Sequence, residues 1–352
     1  MSLQYIFGGS GAGKSTYLYN SIIKESIKNP LENYIIVVPE QYTMATQKRV
    51  VELHPRKGVL NIDVVSFERL AYKVFEEVGA ADYPVLDDTG KNLIVRRVLE
   101  QNKKALRFFG SNISNTGFVS ELKSVISEML QYDISVDKLL DINKNVDNNS
   151  LLGMKLDDIS LIYGGFRQFI KNNYITSEEI LDLMCRKVTE SSKIRGSVIA
   201  FDGFTGFTPV QYRLMAILLD MCKEVKVALT IDISEHVNIN EGIESLFYMT
   251  KDTVAHLNRI CDEGHINVDK VTVGEDTVLT RFAASKELAF LEKNIFRPGL
   301  RYYSGKVNDI VMYAGITPKD EIQYVSGEIL KLTRLQGFRY NEIAVVTGDI
   351  SV

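Results

Sequence analysis

The sequence predicts an α/β protein: a doubly wound parallel sheet with an all-helical insertion. Three observations predict it. A glycine-rich loop between a strand and a helix opens the chain, and two further β-loop-α units follow. From about Leu86 to Arg195 strand patterning then gives way to helical periodicity before strands resume.

Gln4-Tyr5-Ile6-Phe7 reads as a short buried strand. The next stretch, Gly8-Gly9-Ser10-Gly11-Ala12-Gly13-Lys14-Ser15, with Thr16 directly behind it, fits the phosphate-binding pattern G-x-x-x-x-G-K-[ST]. Apolar side chains at Tyr17, Leu18, Ile22, Ile23 and Ile27 recur at helical spacing through about Lys28. Glycines let successive N–H groups turn toward a phosphate that a side chain would block. The helix N-terminus adds partial positive charge. Lys14 would reach the β- and γ-phosphates of ATP, and Ser15 would offer its hydroxyl to Mg²⁺. The alternative is a glycine-rich turn with an incidental Lys-Ser; a chance match in a chain this long is on the order of one in a hundred.

The continuous apolar run Asn33 to Val38 suits a strand buried on both faces of a parallel sheet. Pro39-Glu40-Gln41-Tyr42-Thr43 ends it, and a helix follows to about Leu53. A third strand, Ile62 to Val65, meets Ser66, an N-cap candidate with Arg69 at the third helical position. Within the insertion, helical segments are expected at 88–102, 115–131, 150–172 and 176–189, with no strand between them. Strands are then expected at Val198–Phe201, 224–231, Ile310–Ala314 and Glu342–Val346, with helices at 208–222 and from Pro318 to about Gln336. The pattern over 238–308 is mixed and assigns no element. The chain ends at Val352 before that last strand gains a crossover, which predicts a fragment.

Composition narrows the classes. The 352 residues suffice for two or three domains with a sizeable core. The net charge of −4 carries no global basic field, so a nucleic-acid site must be a local groove. The longest apolar run, Leu214 to Leu219, is too short to span a membrane, and no basic-then-apolar leader opens the chain. Cys185, Cys222 and Cys261 are scattered, which argues against a disulfide scaffold or zinc site and predicts a reducing cytoplasm. No metal-ligand cluster is expected.

An NTPase of this kind needs a second element, an apolar strand ending in an acidic residue that holds Mg²⁺ through water. Val198-Ile199-Ala200-Phe201-Asp202 supplies it, but Gly203 stands where a carboxylate usually orients the attacking water. Nucleotide and metal binding would survive this change, with Ser15 and Asp202 holding the ion, and fast hydrolysis would not. No catalytic residue is assigned.

The stretch Phe201-Asp202-Gly203-Phe204-Thr205-Gly206-Phe207-Thr208-Pro209-Val210-Gln211 resembles the D-E-F-Q-D…Q box of superfamily-one helicases, with Gly203, Thr205 and Gly206 replacing its Glu, Gln and second Asp. Val37 to Thr43 sits where such helicases place their first DNA-contacting motif, and Val65 to Ala71 resembles the T-F-H-S-L-A box after it. Asn341 to Val346 resembles the strand opening their second motor domain. Together these motifs resemble the AddB (RexB) family, the B subunits of the bacterial AddAB helicase–nuclease that processes double-strand DNA ends for recombination. The resemblance implies a P-loop, superfamily-one helicase-like fold divided into a 1A-like domain (1–85 and 196–308), a 1B-like helical insertion (86–195) and the start of a 2A-like domain (309–352). It also implies an A-subunit motor as partner, single-strand scanning for the sequence Chi, and DNA-contacting Gln41, Thr43, Phe67, Arg69, Tyr72 and Phe207. The family's nuclease domain and four-cysteine 4Fe–4S cluster would lie beyond this stretch. The other reading of the loop is an autonomous P-loop ATPase or small-molecule kinase, with Arg96, Arg97, Arg107, Arg167 and Arg186 as candidate lid residues.

Overall fold

A computed structural model describes residues 1–79, 84–113, 115–147, 149–171, 173–238, 242–274, 280–296, 299 and 301–348. It divides into two compact units, Met1–Thr280 and Arg281–Val352.

The first unit opens with β1 (Ser2–Gly8), α1 (Lys14–Lys28), β2 (Tyr34–Val37), α2 (Thr43–Leu53), β3 (Ile62–Val65) and α3 (Phe67–Val78). The helical stretch follows as β4 (Val85–Leu86), α4 (Asp88–Asn102), α5 (Thr116–Gln131), α6 (Val136–Asn143), α7 (Leu151–Ile170), β5 (Ile175–Thr176) and α8 (Ser177–Lys187). The unit returns to α/β order with β6 (Val198–Phe201), α9 (Pro209–Met221), β7 (Glu224–Thr230), α10 (Tyr248–Glu263) and β8 (Asn267–Thr272).

Six strands form one sheet in the order β3-β2-β6-β7-β1-β8, and every pairing is parallel. Side-chain alternation splits its two faces. Leu3, Tyr5 and Phe7 point into a core shared with α3, α8, α9 and α10, whereas Ile6 points into one shared with α1 and α2. Covered on both sides, β2 and β6 are apolar throughout and fully buried, as their sequences predict. Ser66 caps α3 by accepting from the Arg69 N–H at 3.3 Å, also as predicted.

Four differences from the sequence reading have physical causes. The 238–308 region, which the pattern leaves unassigned, supplies α10 and the edge strand β8. β8 escapes a sequence search because Asn267, Val268, Asp269 and Lys270 are all exposed; charge on an open edge discourages further pairing and erases the apolar alternation. Second, the stretch read as all-helical contains β5, which pairs in parallel with β4 where the chain leaves and re-enters the sheet layer. Two residues are too few to show a period. α6 likewise arises from a segment with no predicted helix. Third, helices over 86–195 serve two cores. α4 to α7 enclose their own cluster around Val95, Leu99, Ile126, Ile162 and Phe166. α8 instead packs Ile180 and Met184 into the sheet's core. Fourth, the strands expected at Ile310–Ala314 and Glu342–Val346 are absent.

That last correction concerns the second unit, which holds α11 (Lys286–Asn294) and α12 (Pro318–Leu335). α12 begins at Pro318 as predicted, behind the capping residue Thr317. No sheet occurs among this unit's described residues, and Val311, Met312 and Val346 are exposed by 73%, 94% and 94%. An apolar β-pattern becomes a strand only when a ladder partner takes its N–H and C=O groups. Glu342 is instead part of a 3₁₀ turn, where its carboxylate accepts from the Arg339 N–H at 2.7 Å. Residues 349–352, the end of the supposed fragment, lie outside the described residues.

Glu77 at the end of α3 ties this helix to the loop before β6. Its carboxylate accepts from the Ser191 hydroxyl (2.6 Å), the Ser192 hydroxyl and N–H (2.6 and 2.8 Å) and the Lys193 N–H (3.3 Å). Burial pushes this carboxyl up, but the hydrogen bonds outweigh it and hold the pKa at about 2, below an ordinary 4.5. A depressed carboxyl stabilises the fold above its unfolded pKa and ceases to as pH falls through its folded one. Glu77→Gln should therefore cost about 1–2 kcal/mol near neutrality, a figure kept low because the group is partly solvated. Urea melts of wild type and variant should differ at pH 7 and converge between pH 4.5 and 2. A gap independent of pH would refute this account.

Candidate nucleotide site and neighbouring loops

In an all-parallel sheet the loops after the strands share one edge, where ligands bind in such folds. The loop after β1 shows why glycine is required. A Cβ at Gly8 would lie 2.6 Å from the Val273 carbonyl oxygen, so the chain beyond β8 passes too close for any side chain. Gly11 and Gly13 adopt left-handed φ values of 83° and 92°. Gly13 forms the N-cap of α1, whose N-terminus has no side-chain cap and no acidic residue in its first turn. Its N–H groups and partial positive charge thus suit an anion. The Lys14 ammonium lies across the loop, donating to the carbonyls of Gly8 and Gly9 at 3.0 Å each. Ser10 and Ala12 complete the turn from β1 into α1, and Ser15 and Thr16 stand in the helix's first turn.

Asp202 follows β6 and is 6% exposed. One helical turn past Ser15, the phenol of Tyr19 donates to Asp202 Oδ2 at 2.5 Å. Burial and the Asp202 charge push the Tyr19 pKa far up, while the facing hydroxyls of Thr46 and Ser15 pull against them. The phenol is protonated and donates to Asp202. A hydroxyl and a carboxylate beside a phosphate-type loop form an oxygen-only donor set, which fits Mg²⁺. Gly203 then turns the chain at φ 79°, beneath Pro39 and Tyr42. Having no side chain, it offers no carboxylate beside Asp202 to align a water.

Elsewhere, no group of three or more His, Cys, Asp or Glu able to hold a metal occurs among the described residues. Cys185, Cys222 and Cys261 are buried, and burial pushes each thiol up to about 11. No helix among the described residues is long and apolar enough to cross a membrane.

Residues 5–292 match the family model described as ADDB, N-terminal. The chain belongs to the AddB family. It is 41% identical to the B subunit of the ATP-dependent helicase/deoxyribonuclease of Lachnoclostridium phytofermentans, over all of this chain and 31% of that protein. The subunits of the same name from Clostridioides difficile and Clostridium novyi are 34% and 31% identical over 100% and 99% of this chain, each along 30% of its own length. The chain thus spans less than a third of the relatives it matches.

The six positions that the AddB resemblance assigns to DNA differ in exposure. Gln41 is exposed on the loop after β2 and Arg69 in the first turn of α3, where Arg69 pairs with Glu40 at 2.9 Å. Thr43 is buried and donates to the Glu40 carbonyl. Phe67 corrects the sequence expectation. It is only 7% exposed and packs at 5.3–6.3 Å between ring centroids against Phe201, Phe204 and Phe207. Its ring has no free face on which a base can stack. Tyr72 and Phe207 are half-buried at the margin of this core. The reasoning from sequence missed Tyr19, whose only signal is its place four residues after Ser15, and Tyr42, half-exposed beside Gly203.

Gly203→Ala should destabilise the fold by about 1–2 kcal/mol, because the φ there is left-handed. The Cβ itself fits, 3.5 Å from Pro39, so the effect is one of backbone conformation. A chemical-denaturation midpoint equal to wild type would show that Gly203 holds no such strain.

Proposed function

We propose that this chain is the nucleotide- and DNA-binding, helicase-like part of the B subunit of a bacterial helicase–nuclease that processes double-strand DNA breaks for recombinational repair. ATP with Mg²⁺ would sit on Gly8 to Thr16, with Ser15 and Asp202 toward the ion. The observation that carries this reading is the glycine loop at the N-terminus of α1 together with the Asp202-Gly203 pair after β6, a combination suited to binding and poorly suited to hydrolysis. Positioning and charge stabilisation supply nearly all of phosphoryl-transfer catalysis, so loss of the water-aligning carboxylate keeps turnover slow.

The 1A-like, 1B-like and 2A-like divisions at 1–85 with 196–308, 86–195 and 309–352 belong to the same proposal. So do the A subunit as partner, DNA ends as substrate, Chi scanning by single-strand contacts, a cytoplasmic location, and an iron–sulfur cluster carried outside this stretch. Single-stranded DNA would cross the carboxyl edge of the sheet through Gln41 and Arg69, with Tyr72 and Phe207 behind them. The exposed Arg69–Glu40 pair is worth little and yields readily to a phosphate. The lid candidates Arg96, Arg107, Arg167 and Arg186 form similarly exposed pairs with Glu100, Asp157, Glu179 and Asp182, so single-strand binding is what separates this reading from the kinase one.

Two measurements test the proposal. Lys14→Ala removes a charge-assisted contact worth about 1.5–3 kcal/mol and should weaken ATP binding at least tenfold by calorimetry. Equal, negligible affinities for wild type and variant would make the loop vestigial. Arg69→Ala should lower single-strand affinity and flatten its salt dependence by about one counterion if the contact is to phosphate. A change below twofold would remove this edge as the DNA site.

A further inference from the structure

The metal side of the nucleotide site contains a group that neither the loop motif nor the acidic strand end accounts for. The Tyr19 phenol donates to Asp202 Oδ2 at 2.5 Å, so it already occupies one of the two residues that would face the ion. Tyr19 and Asp202 are 5% and 6% exposed, so water competes poorly for this bond. A short O–H···O⁻ bond of this kind is among the stronger hydrogen bonds in proteins. It also draws charge from the carboxylate, which lowers its value as an outer ligand.

We propose that Tyr19 is a positioning residue that latches Asp202 through this bond, so that nucleotide binds here with little help from metal. This rests on the nucleotide reading and deepens it. The glycine loop, α1 N-terminus and Lys14 carry the phosphate affinity, while the latch supplies the local order that the ion would otherwise impose. Gly203 and Tyr19 then act in one direction, one removing water alignment and the other muting the metal.

The test is calorimetry of ATP binding to the full-length protein, with Mg²⁺ and with the metal chelated. Wild-type affinity should change by no more than about threefold between the two conditions. Tyr19→Phe keeps the ring's packing and releases Asp202; its affinity should rise about tenfold or more on adding Mg²⁺. A folded Tyr19→Phe with the wild-type ratio would overturn the latch. So would a wild-type affinity that already rises a hundredfold with Mg²⁺, whatever the variant does. If wild type binds ATP in neither condition, the nucleotide reading itself falls and the latch with it.

Discussion

The parallel alignment of six strands is the constraint on which every functional group here depends. Because β1, β2, β3 and β6 run the same way, the loops carrying Gly8 to Ser15, Gln41, Arg69 and Asp202 all leave at one edge. β7 lies between β1 and β6, which sets the glycine loop and Asp202 two strands apart. α1 crosses that gap and delivers Tyr19 to Asp202. A parallel sheet must be covered on both faces, so the helices that bury it also fix how each loop enters its helix.

The helical stretch is anchored rather than merely appended. Lys91 on α4, 2% exposed, reaches Glu178 on α8 at 2.8 and 3.0 Å. Burial pushes the Glu178 carboxyl up, but the Lys91 bonds and charge outweigh it and hold it below the ordinary carboxylate range. The pair joins a helix of the insertion's own core to one of the sheet's core, beside the β4–β5 ladder. Removing one partner of such a buried pair would leave the other unpaired, which is far costlier than the net worth of the pair.

The aromatic cluster fixes the course of the segment after Asp202. Phe67, Phe201, Phe204 and Phe207 pack ring on ring beneath the loops, and Tyr212 extends the chain of contacts to His256. Apolar rings at 204 and 207 thus pin the segment after Asp202 where Gly203, Thr205 and Gly206 offer no carboxylate or amide. The cluster supports the edge on which Gln41 and Arg69 stand exposed.

Much was legible in the sequence because it is local. Strand–loop–helix order, the loop's glycines, the Ser66 cap and the acidic strand end with Gly203 behind it follow from spacing and residue type alone. What tertiary structure decided depends on partners distant in the chain. β8 is a strand because β1 offers its edge, whereas Ile310 to Ala314 has the pattern and no ladder. Phe67 is core because Phe201, Phe204 and Phe207, over 130 residues later, close around it. Tyr19 became part of the site only through its bond to Asp202, 183 residues away, since a side chain's chemistry is set by what folding brings against it.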